Sequence, residues 1–123
     1  MSYQIEIWMQ SRTVCVIHEG TVDLSDMESG RAQAVAALTE HGFSRMLVDT
    51  RAVVREPTVT EHHRFASTQP LYMPLHVAVA VMVRPVLFES PREFEKLSLD
   101  RGVQIKSFVD INEAQAWLMR ITN

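Results

Sequence analysis

The stretch that most constrains the fold is Val103–Leu118, VQIKSFVDINEAQAWL, in which a strand-like run passes directly into a helix at Asp110. The Asp110 carboxylate can accept from the free N–H groups of that helix, and Glu113 stands three residues on, at capping-box spacing. Apolar residues then recur at helical spacing and predict one buried stripe: Ile111, Ala114, Leu118 and Ile121. A strand followed at once by such a helix is typical of the closing unit of an α/β domain.

Length and composition bound the kind of protein. The 123 residues suit one domain, and we expect a single domain over residues 1–123. Apolar residues make up 46% and charged residues 22%, which is ordinary for a globular protein. The formal net charge of −3 argues against nucleic-acid binding, which needs clustered positive charge, and against attraction to an anionic membrane surface.

Cysteine usage and hydropathy favour the cytoplasm. Cys15 is the only cysteine, so a disulfide within the chain cannot form and a reducing compartment is expected. The N-terminal residues alternate between polar and apolar and show no signal-peptide pattern. The longest apolar run, Val77–Val83, is too short to cross a bilayer, so no transmembrane segment is expected.

Apolar periodicity predicts five strands. The first alternates with period two, and its link to the second is too short for a crossover, which requires an antiparallel hairpin. The fourth is apolar on both faces, so we expect it in the interior of the sheet. The predicted strands are residues 3–9, Arg12–Glu19, Arg45–Asp49, Leu75–Val83 and Val103–Val109.

Helices separate or follow the later strands, which gives the order ββαβαβαβα. Gly42 is a plausible stop for the first helix, whereas Gly30 within it costs about 1 kcal/mol relative to alanine. Pro70 and Pro74 are expected to bracket a loop. Right-handed crossovers then predict a mixed, mostly parallel five-stranded sheet with an antiparallel first strand. The predicted helices are Asp23–His41, Val59–Ser67, residues 91–97 and the closing helix after Asp110.

This order, with MLVDTR after the first helix and RGVQIKSFVDINEAQAWL at the end, resembles the STAS/SpoIIAA-like family, most closely its SpoIIAA-like or STAS/SEC14-type branch. The resemblance covers nearly the whole chain. It implies an α/β SpoIIAA-like single domain with a regulatory or protein-interaction role. The residues that carry it are Asp49, Arg101, Gly102, Asp110, Glu113, Ala114, Trp117 and Leu118.

The family includes anti-anti-sigma regulators, and the resemblance implies where their switch would lie. These proteins carry a phosphorylatable serine after an aspartate, then glycine, at the start of the helix that follows the third strand. Here Asp49 is followed by Thr50, Arg51 and Ala52, so the glycine is missing, and the helix signal lies at Thr58. We therefore expect that Thr50 is not an obligatory phosphorylation switch.

The sequence carries no legible catalytic or metal signature. His62 and His63 are adjacent and point about 100° apart on a helix, unlike a zinc pair at i, i+4 spacing. Cys15 lies mid-strand among apolar residues and is expected to be a buried hydrophobe. We therefore predict no catalytic residue, no metal and no cofactor, and a protein that is not an enzyme.

We expect the working surface at the C-terminal ends of the parallel strands, where the following loops meet. The segment Val86–Phe88 either packs under the next helix or contacts a partner. Arginines beside apolar residues suit a protein partner, including a second copy of the chain in a homodimer, or a ligand with an acidic head. The candidate binding residues are Asp49, Thr50, Arg51, Arg84, Val86, Leu87, Phe88 and Asp110.

Three classes of function remain. The first is a non-catalytic regulatory or protein-interaction module, which the family resemblance favours. The alternative is a small apolar-ligand or lipid-binding domain, since the apolar connections and seven methionines suit a pocket and the resemblance extends to SEC14 lipid-transfer proteins. The third is an enzyme, which would need Asp49 in a pocket within reach of His62 or His63.

Overall fold

Five strands in the described part of the chain form one sheet, and their spatial order β1-β2-β3-β4-β5 follows the sequence. The computed structural model describes residues 3–74, 76–84 and 104–122. The strands are β1 (Tyr3–Trp8), β2 (Thr13–Thr21), β3 (Arg45–Arg55), β4 (Ala78–Met82) and β5 (Gln104–Phe108). The helices are α1 (Leu24–His41), α2 (Val59–Tyr72) and α3 (Ile111–Ile121). The predicted helix at residues 91–97 lies outside the described residues.

The sheet is mixed, as the sequence predicts. β1 pairs antiparallel with β2, and the three other pairings are parallel. The tight link between β1 and β2 closes because Arg12 adopts a left-handed backbone conformation with φ of 53° and donates its N–H to the Met9 carbonyl at 3.3 Å. This explains how a link without favourable turn residues makes a hairpin.

Both faces of the sheet are covered, which confirms that β4 is an interior strand. One face packs against α1 and α2 and is formed by the residues Val14, Val16, Met46, Val79 and Ile105. The other packs against α3 and includes Cys15, Leu47, Ala78, Ala80 and Met82. The two alanines of β4 are fully buried, and their small side chains let α3 approach the sheet closely.

The helices begin at the predicted caps. Thr58 and Glu61 form the expected capping box at the start of α2, with distances of 3.1 and 3.0 Å. α1 begins after Asp23, which forms a second box with Asp26, and ends at Gly42 in the left-handed conformation. At α3 the structure shows only the Asp110 half of the predicted box.

The predicted buried stripe of α3 is partly wrong. Ala114 and Leu118 are buried, but Trp117 is buried with them, while Ile121 is exposed. The Trp117 ring packs against Phe108 with the ring centroids 5.7 Å apart. The aromatic pair therefore sets the orientation of the helix, and the last turn of the helix rotates Ile121 away from the sheet.

The predicted loop between Pro70 and Pro74 is also wrong, because α2 continues to Tyr72. The extra turn places the Gln69 carboxamide against Arg31 of α1, and it brings Met73 into the core with 4% of its surface exposed. Burial of these two residues favours the longer helix over the loop that the prolines suggest.

β3 is longer than predicted and does not end at Asp49. It continues to Arg55 because the last residues of β2 pair with it, Glu19 with Ala52 and Thr21 with Arg55. A shift of register between Ile17 and Glu19 accommodates a bulge in this part of the ladder. Asp49 therefore lies inside a strand.

Gly30 has a packing role inside α1. A Cβ atom at this position would lie 3.2 Å from Cε1 of His18 and 3.4 Å from Cγ1 of Val16. The absence of a side chain lets α1 approach β2 closely, which explains a glycine in the middle of a helix.

Candidate functional site

The C-terminal ends of β3, β4 and β5 meet at one edge of the sheet. Asp49 pairs with Met82 and Met82 with Phe108, so these three residues form one row across the strands. β4 and β5 end at this row, whereas β3 continues beyond it beside β2. We call this region the carboxyl edge; it comprises Asp49, the β3 extension Thr50–Arg55, Val59, Val83, Arg84, Val109 and Asp110.

Two side chains connect the β3 extension to the end of β4. Thr50 Oγ1 donates to the Met82 carbonyl at 2.6 Å, and Arg84 Nη2 donates to the Val53 carbonyl at 2.7 Å. The Met82 carbonyl belongs to the last pair of the β3–β4 ladder and the Val53 carbonyl lies beyond it, so both bonds satisfy carbonyl groups where the ladder ends. Arg84 Nε is buried without a hydrogen-bond partner in the described part of the chain. The fold thus brings Thr50 and Arg84 to the same edge.

Asp49 and Arg51 form a bidentate ion pair on the outer part of this edge. Arg51 Nε lies 3.0 Å from Oδ1 of Asp49 and Nη2 lies 2.8 Å from Oδ2, while the Arg51 backbone N–H donates to Oδ1. Burial acts to raise the pKa of Asp49, but the hydrogen bonds from Arg51 outweigh it and hold that pKa below its usual range. The same carboxylate raises the pKa of Arg51. Because the Arg51 side chain is 44% exposed, the pair contributes little to stability.

Asp110 reaches the carboxyl edge as the N-cap of α3. Its Oδ1 accepts from the backbone N–H groups of Asn112 and Glu113 at 2.7 and 3.3 Å. The Val83 N–H donates to the Phe108 carbonyl at 2.9 Å. This bond joins the residue after β4 to the end of β5, where the chain leads into α3. The Asp110 carboxylate therefore stabilises the helix start, and the residue itself is exposed.

Three exposed valines at the carboxyl edge were missed by sequence reasoning. Val54 in the β3 extension is 81% exposed, Val59 at the start of α2 is 62% exposed, and Val109 after β5 is 47% exposed. The predicted apolar segment Val86–Phe88 lies outside the described residues. The run Ala52-Val53-Val54 between two arginines was the available signal, but its place at the edge depends on the unexpected length of β3.

A cavity of about 110 Å³ lies between the sheet and the helices α1 and α2. Its walls are mostly apolar and include Val16, Val48 and Val81. The polar side chains that line it include His18, Arg31, Thr50, Glu56, His62 and Gln69. Asp49 does not line it, because alternate residues of a strand face opposite sides and Thr50 takes the cavity side. The pairing of Asp49 with a histidine that an enzyme would need is therefore not formed in this cavity.

The described residues contain neither a metal-binding cluster nor a reactive thiol. No group of three or more His, Cys, Asp or Glu side chains converges within the part of the chain that the structure describes. Cys15 is buried, and burial raises the pKa of its thiol to about 12, so it stays protonated. None of the described helices is both long and apolar enough to span a membrane.

Solved structures of three other proteins share this architecture. An uncharacterized protein of the DUF3478 family from Shewanella loihica PV-4, described as having a SpoIIAA-like fold, superimposes with a TM-score of 0.63 at 19% identity, over 94% of this chain and 91% of that one. An anti-sigma factor antagonist from Mycobacterium paratuberculosis gives 0.65 at 14% identity, over 95% and 92%. The anti-sigma factor antagonist SpoIIAA in its unphosphorylated form gives 0.58 at 12% identity, over 95% and 97%.

This chain has the SpoIIAA-like fold. The resemblance found in the sequence is thereby confirmed at the level of architecture. No protein-family model and no curated protein matches the sequence. At identities this low the comparison establishes the fold, and the roles of individual residues have to be argued from geometry.

In this chain Thr50 does not lie at the start of a helix. β3 continues past Thr50, whose hydroxyl is bonded to Met82, and α2 begins only after Thr58. The hydroxyl at the N-terminus of α2 is that of Thr58, which accepts from the Glu61 N–H. Thr50 therefore has no helix N-terminus beside it that could hold a phosphate within the described residues.

Proposed function

We propose that this chain is a non-catalytic regulatory module that binds a protein partner through its carboxyl edge. The observation that carries the proposal is the exposure of Val54, 81% of whose surface is open in a strand extension that pairs, among the described residues, with β2 only. An exposed apolar side chain on an ordered strand is already held in place before a partner binds. Binding there therefore costs little conformational entropy of the backbone.

The chemistry of the edge suits a protein interface. Val54, Val59 and Val109 supply apolar area, and the ion pair of Asp49 with Arg51 supplies charge beside it. Protein interfaces commonly combine an apolar centre with a polar rim, and arginine is enriched in them. The edge therefore has the composition expected of a contact surface.

The polar groups of the edge are used for structure, which favours binding over catalysis. The Thr50 hydroxyl holds the Met82 carbonyl, and the Asp110 carboxylate caps α3. Two solved proteins with this fold are named anti-sigma factor antagonists, and a regulatory role among proteins is what that name states for them. We extend this class of role to the present chain as a proposal, and we propose the cytoplasm as its site of action.

Site-specific photocrosslinking in the native host tests the proposal. A photoreactive amino acid at Val54 should give a discrete adduct with one partner polypeptide. The matched control is Leu71, which is 77% exposed near the C-terminal end of α2, whereas Val59 lies at the start of that helix. A photoreactive amino acid at Leu71 should give no adduct. The second substitution Val59→Lys, made in the Val54-labelled chain, should abolish the adduct.

The outcomes distinguish the kinds of partner. An adduct of twice the chain mass, formed also by the purified protein, would identify the partner as a second copy. Equal labelling from Val54 and Leu71, or a Val54 adduct that Val59→Lys leaves unchanged, would contradict binding through the carboxyl edge.

A further inference from the structure

Arg31 is a buried cation that forms no ion pair among the described residues. Only 6% of its surface is exposed, and no carboxylate oxygen of the described residues lies within 4.0 Å of it. Its Nη1 donates to Oε1 of Gln69 at 2.9 Å and to the Phe65 carbonyl at 3.3 Å. The guanidinium carbon lies 4.2 Å from the ring centroid of Phe65 and 4.9 Å from that of Tyr72. Buried charges in proteins are normally paired, so this arrangement calls for an explanation.

A second buried arginine shows what a purely structural role looks like. Arg45 donates its Nε to Oγ1 of Thr122 at 2.6 Å and its Nη1 to the Ser11 carbonyl at 2.8 Å, and it does not line the cavity. Arg31 differs because it lines the cavity and because only its Nη1 has a hydrogen-bond acceptor among the described residues. Its Nε and Nη2 groups remain as donors for a ligand.

His18 lines the same cavity and is equally buried. It is 5% exposed, and its Nδ1 has no hydrogen-bond partner in the part of the chain that the structure describes. Burial lowers the pKa of His18, so the imidazole is neutral near pH 7 and can both donate and accept. Gly30 brings α1 against His18, and Arg31 is the next residue of that helix.

Arg31 and Glu56 are the arginine and the glutamate that line the cavity, and Arg31 is the more deeply buried of the two. Burial raises the pKa of the Glu56 carboxyl group, but the nearby Arg84 acts in the opposite direction and offsets its charge. Glu28 likewise acts on Arg31 through space, but no carboxylate of the described residues forms an ion pair with Arg31. A ligand that fits the cavity therefore gains most by bringing a negative charge to Arg31.

From this geometry we propose that the cavity binds a short-chain monocarboxylate. Its carboxylate would accept hydrogen bonds from Arg31 Nε and Nη2, and its hydrocarbon chain would lie among Val16, Val48 and Val81. An engineered apolar cavity of about 150 Å³ holds benzene, and the present cavity of about 110 Å³ is smaller, so the ligand should be an acid of no more than about five carbons. The proposal is independent of a protein partner at the carboxyl edge.

Titration with pentanoate tests the proposal directly. The valine methyl resonances are followed by NMR, with pentan-1-ol and pentylammonium as neutral and cationic controls of similar size. Pentanoate should shift the methyl signals of Val16, Val48 and Val81 and bind about tenfold or more tightly than pentan-1-ol, the ratio expected for a hydrogen bond to a charged group. Pentylammonium should bind most weakly, because its charge repels Arg31.

Variants separate the charge from the cavity. Arg31→Met keeps a long apolar side chain, and replacing a buried charge in this way is often neutral for folding, so the variant should fold. It should bind pentanoate about tenfold more weakly and leave binding of pentan-1-ol unchanged. Arg31→Lys keeps the cation and should retain the preference for pentanoate even if Arg31→Met is poorly folded. Arg64→Met, at an exposed position of α2, should behave as wild type.

Three results would overturn the proposal. The first is wild-type protein whose cavity methyl signals do not move with pentanoate, or move no more than those of surface residues. The second is equal affinity for pentanoate and pentan-1-ol. The third is an Arg31→Met or Arg31→Lys series in which pentanoate affinity does not follow the charge at this position.

Discussion

The Thr50 hydroxyl donates to the Met82 carbonyl at 2.6 Å, one residue past the last paired position of β3 and β4. A side-chain hydrogen bond thus follows the last backbone pair at the point where β4 ends and β3 continues. This bond anchors the start of the β3 extension, and pairing with β2 holds the part of the extension that carries the exposed Val54.

Removing this hydroxyl should destabilise the protein without changing its shape. Thr50→Val has the same volume but leaves the Met82 carbonyl without its donor, which should lower the free energy of unfolding by about 1–2 kcal/mol. Thr50→Ser keeps the donor and should cost less than Thr50→Val. Urea unfolding measures both, and a Thr50→Val variant as stable as wild type would show that water replaces the bond without loss.

Thr50 should not carry a regulatory phosphate. Its hydroxyl is bonded to Met82, and the start of α2 lies after Thr58, so no helix N-terminus among the described residues can hold a phosphate there. Mass spectrometry of protein isolated from its own host should find Thr50 unmodified. Stoichiometric phosphate at Thr50, removed and restored by a phosphatase and kinase pair, would contradict this.

A charge placed within β4 should prevent folding or come close to it. Val79 is 2% exposed between the sheet and the helices, so Val79→Asp buries an unpaired carboxylate and should cost several kcal/mol. Val54→Asp is the matched control, since it puts the same charge at an exposed valine of the same sheet. Thermal unfolding should show a large loss for the first variant and little change for the second.

Gly30→Ala should be neutral or slightly stabilising. Alanine gains up to about 1 kcal/mol in helix propensity, while its Cβ comes within 3.2 Å of the His18 ring. That ring borders a cavity and can move by the few tenths of an ångström required. Gly30→Val needs more space and should destabilise. A loss above about 1 kcal/mol for Gly30→Ala in urea unfolding would mean that the His18 ring is held rigidly.

Stability should decline as the pH falls below about 6.5, because burial lowers the pKa of His18 and of His62 in the folded state. The unfolded chain then binds protons at a higher pH than the folded protein does. The stability that is present above about pH 6.5 is therefore lost as the pH falls toward the lower, folded pKa values. His18→Asn should reduce this pH dependence, and His76→Asn, at an exposed position, should not. Melting temperatures of the wild type and both variants, measured from above pH 6.5 to below it, test this prediction.

The fold was predictable wherever local signals agreed with burial. Asp23–His41 and the Thr58 cap were located because capping residues, apolar periodicity and Gly42 all mark the same boundaries. The length of β3 was not predictable in the same way. Thr50–Arg55 is polar at both ends, and it becomes a strand because β2 pairs with it across a bulge, a non-local contact that no short window of sequence displays.

The candidate sites depended even more on non-local contacts. Asp49, Thr50 and Arg84 were placed at one edge by topology alone, since parallel strands bring their C-terminal ends together. Arg31 gave no signal, because its burial results from α2, whose Phe65 and Gln69 are far away in the sequence. An arginine in an amphipathic helix normally faces solvent, and only tertiary packing shows otherwise.

The spatial order of the sheet has a consequence for how the chain folds during synthesis. Each strand pairs with the strand that precedes it in the sequence, so a chain emerging residue by residue always presents a new strand to a partner that already exists. Each closure spans no more than one connection between consecutive strands, which limits the entropy cost of each addition. The hydrogen bond from Arg45 to Thr122 joins an early strand to the end of α3, and it can form only after α3 has left the ribosome.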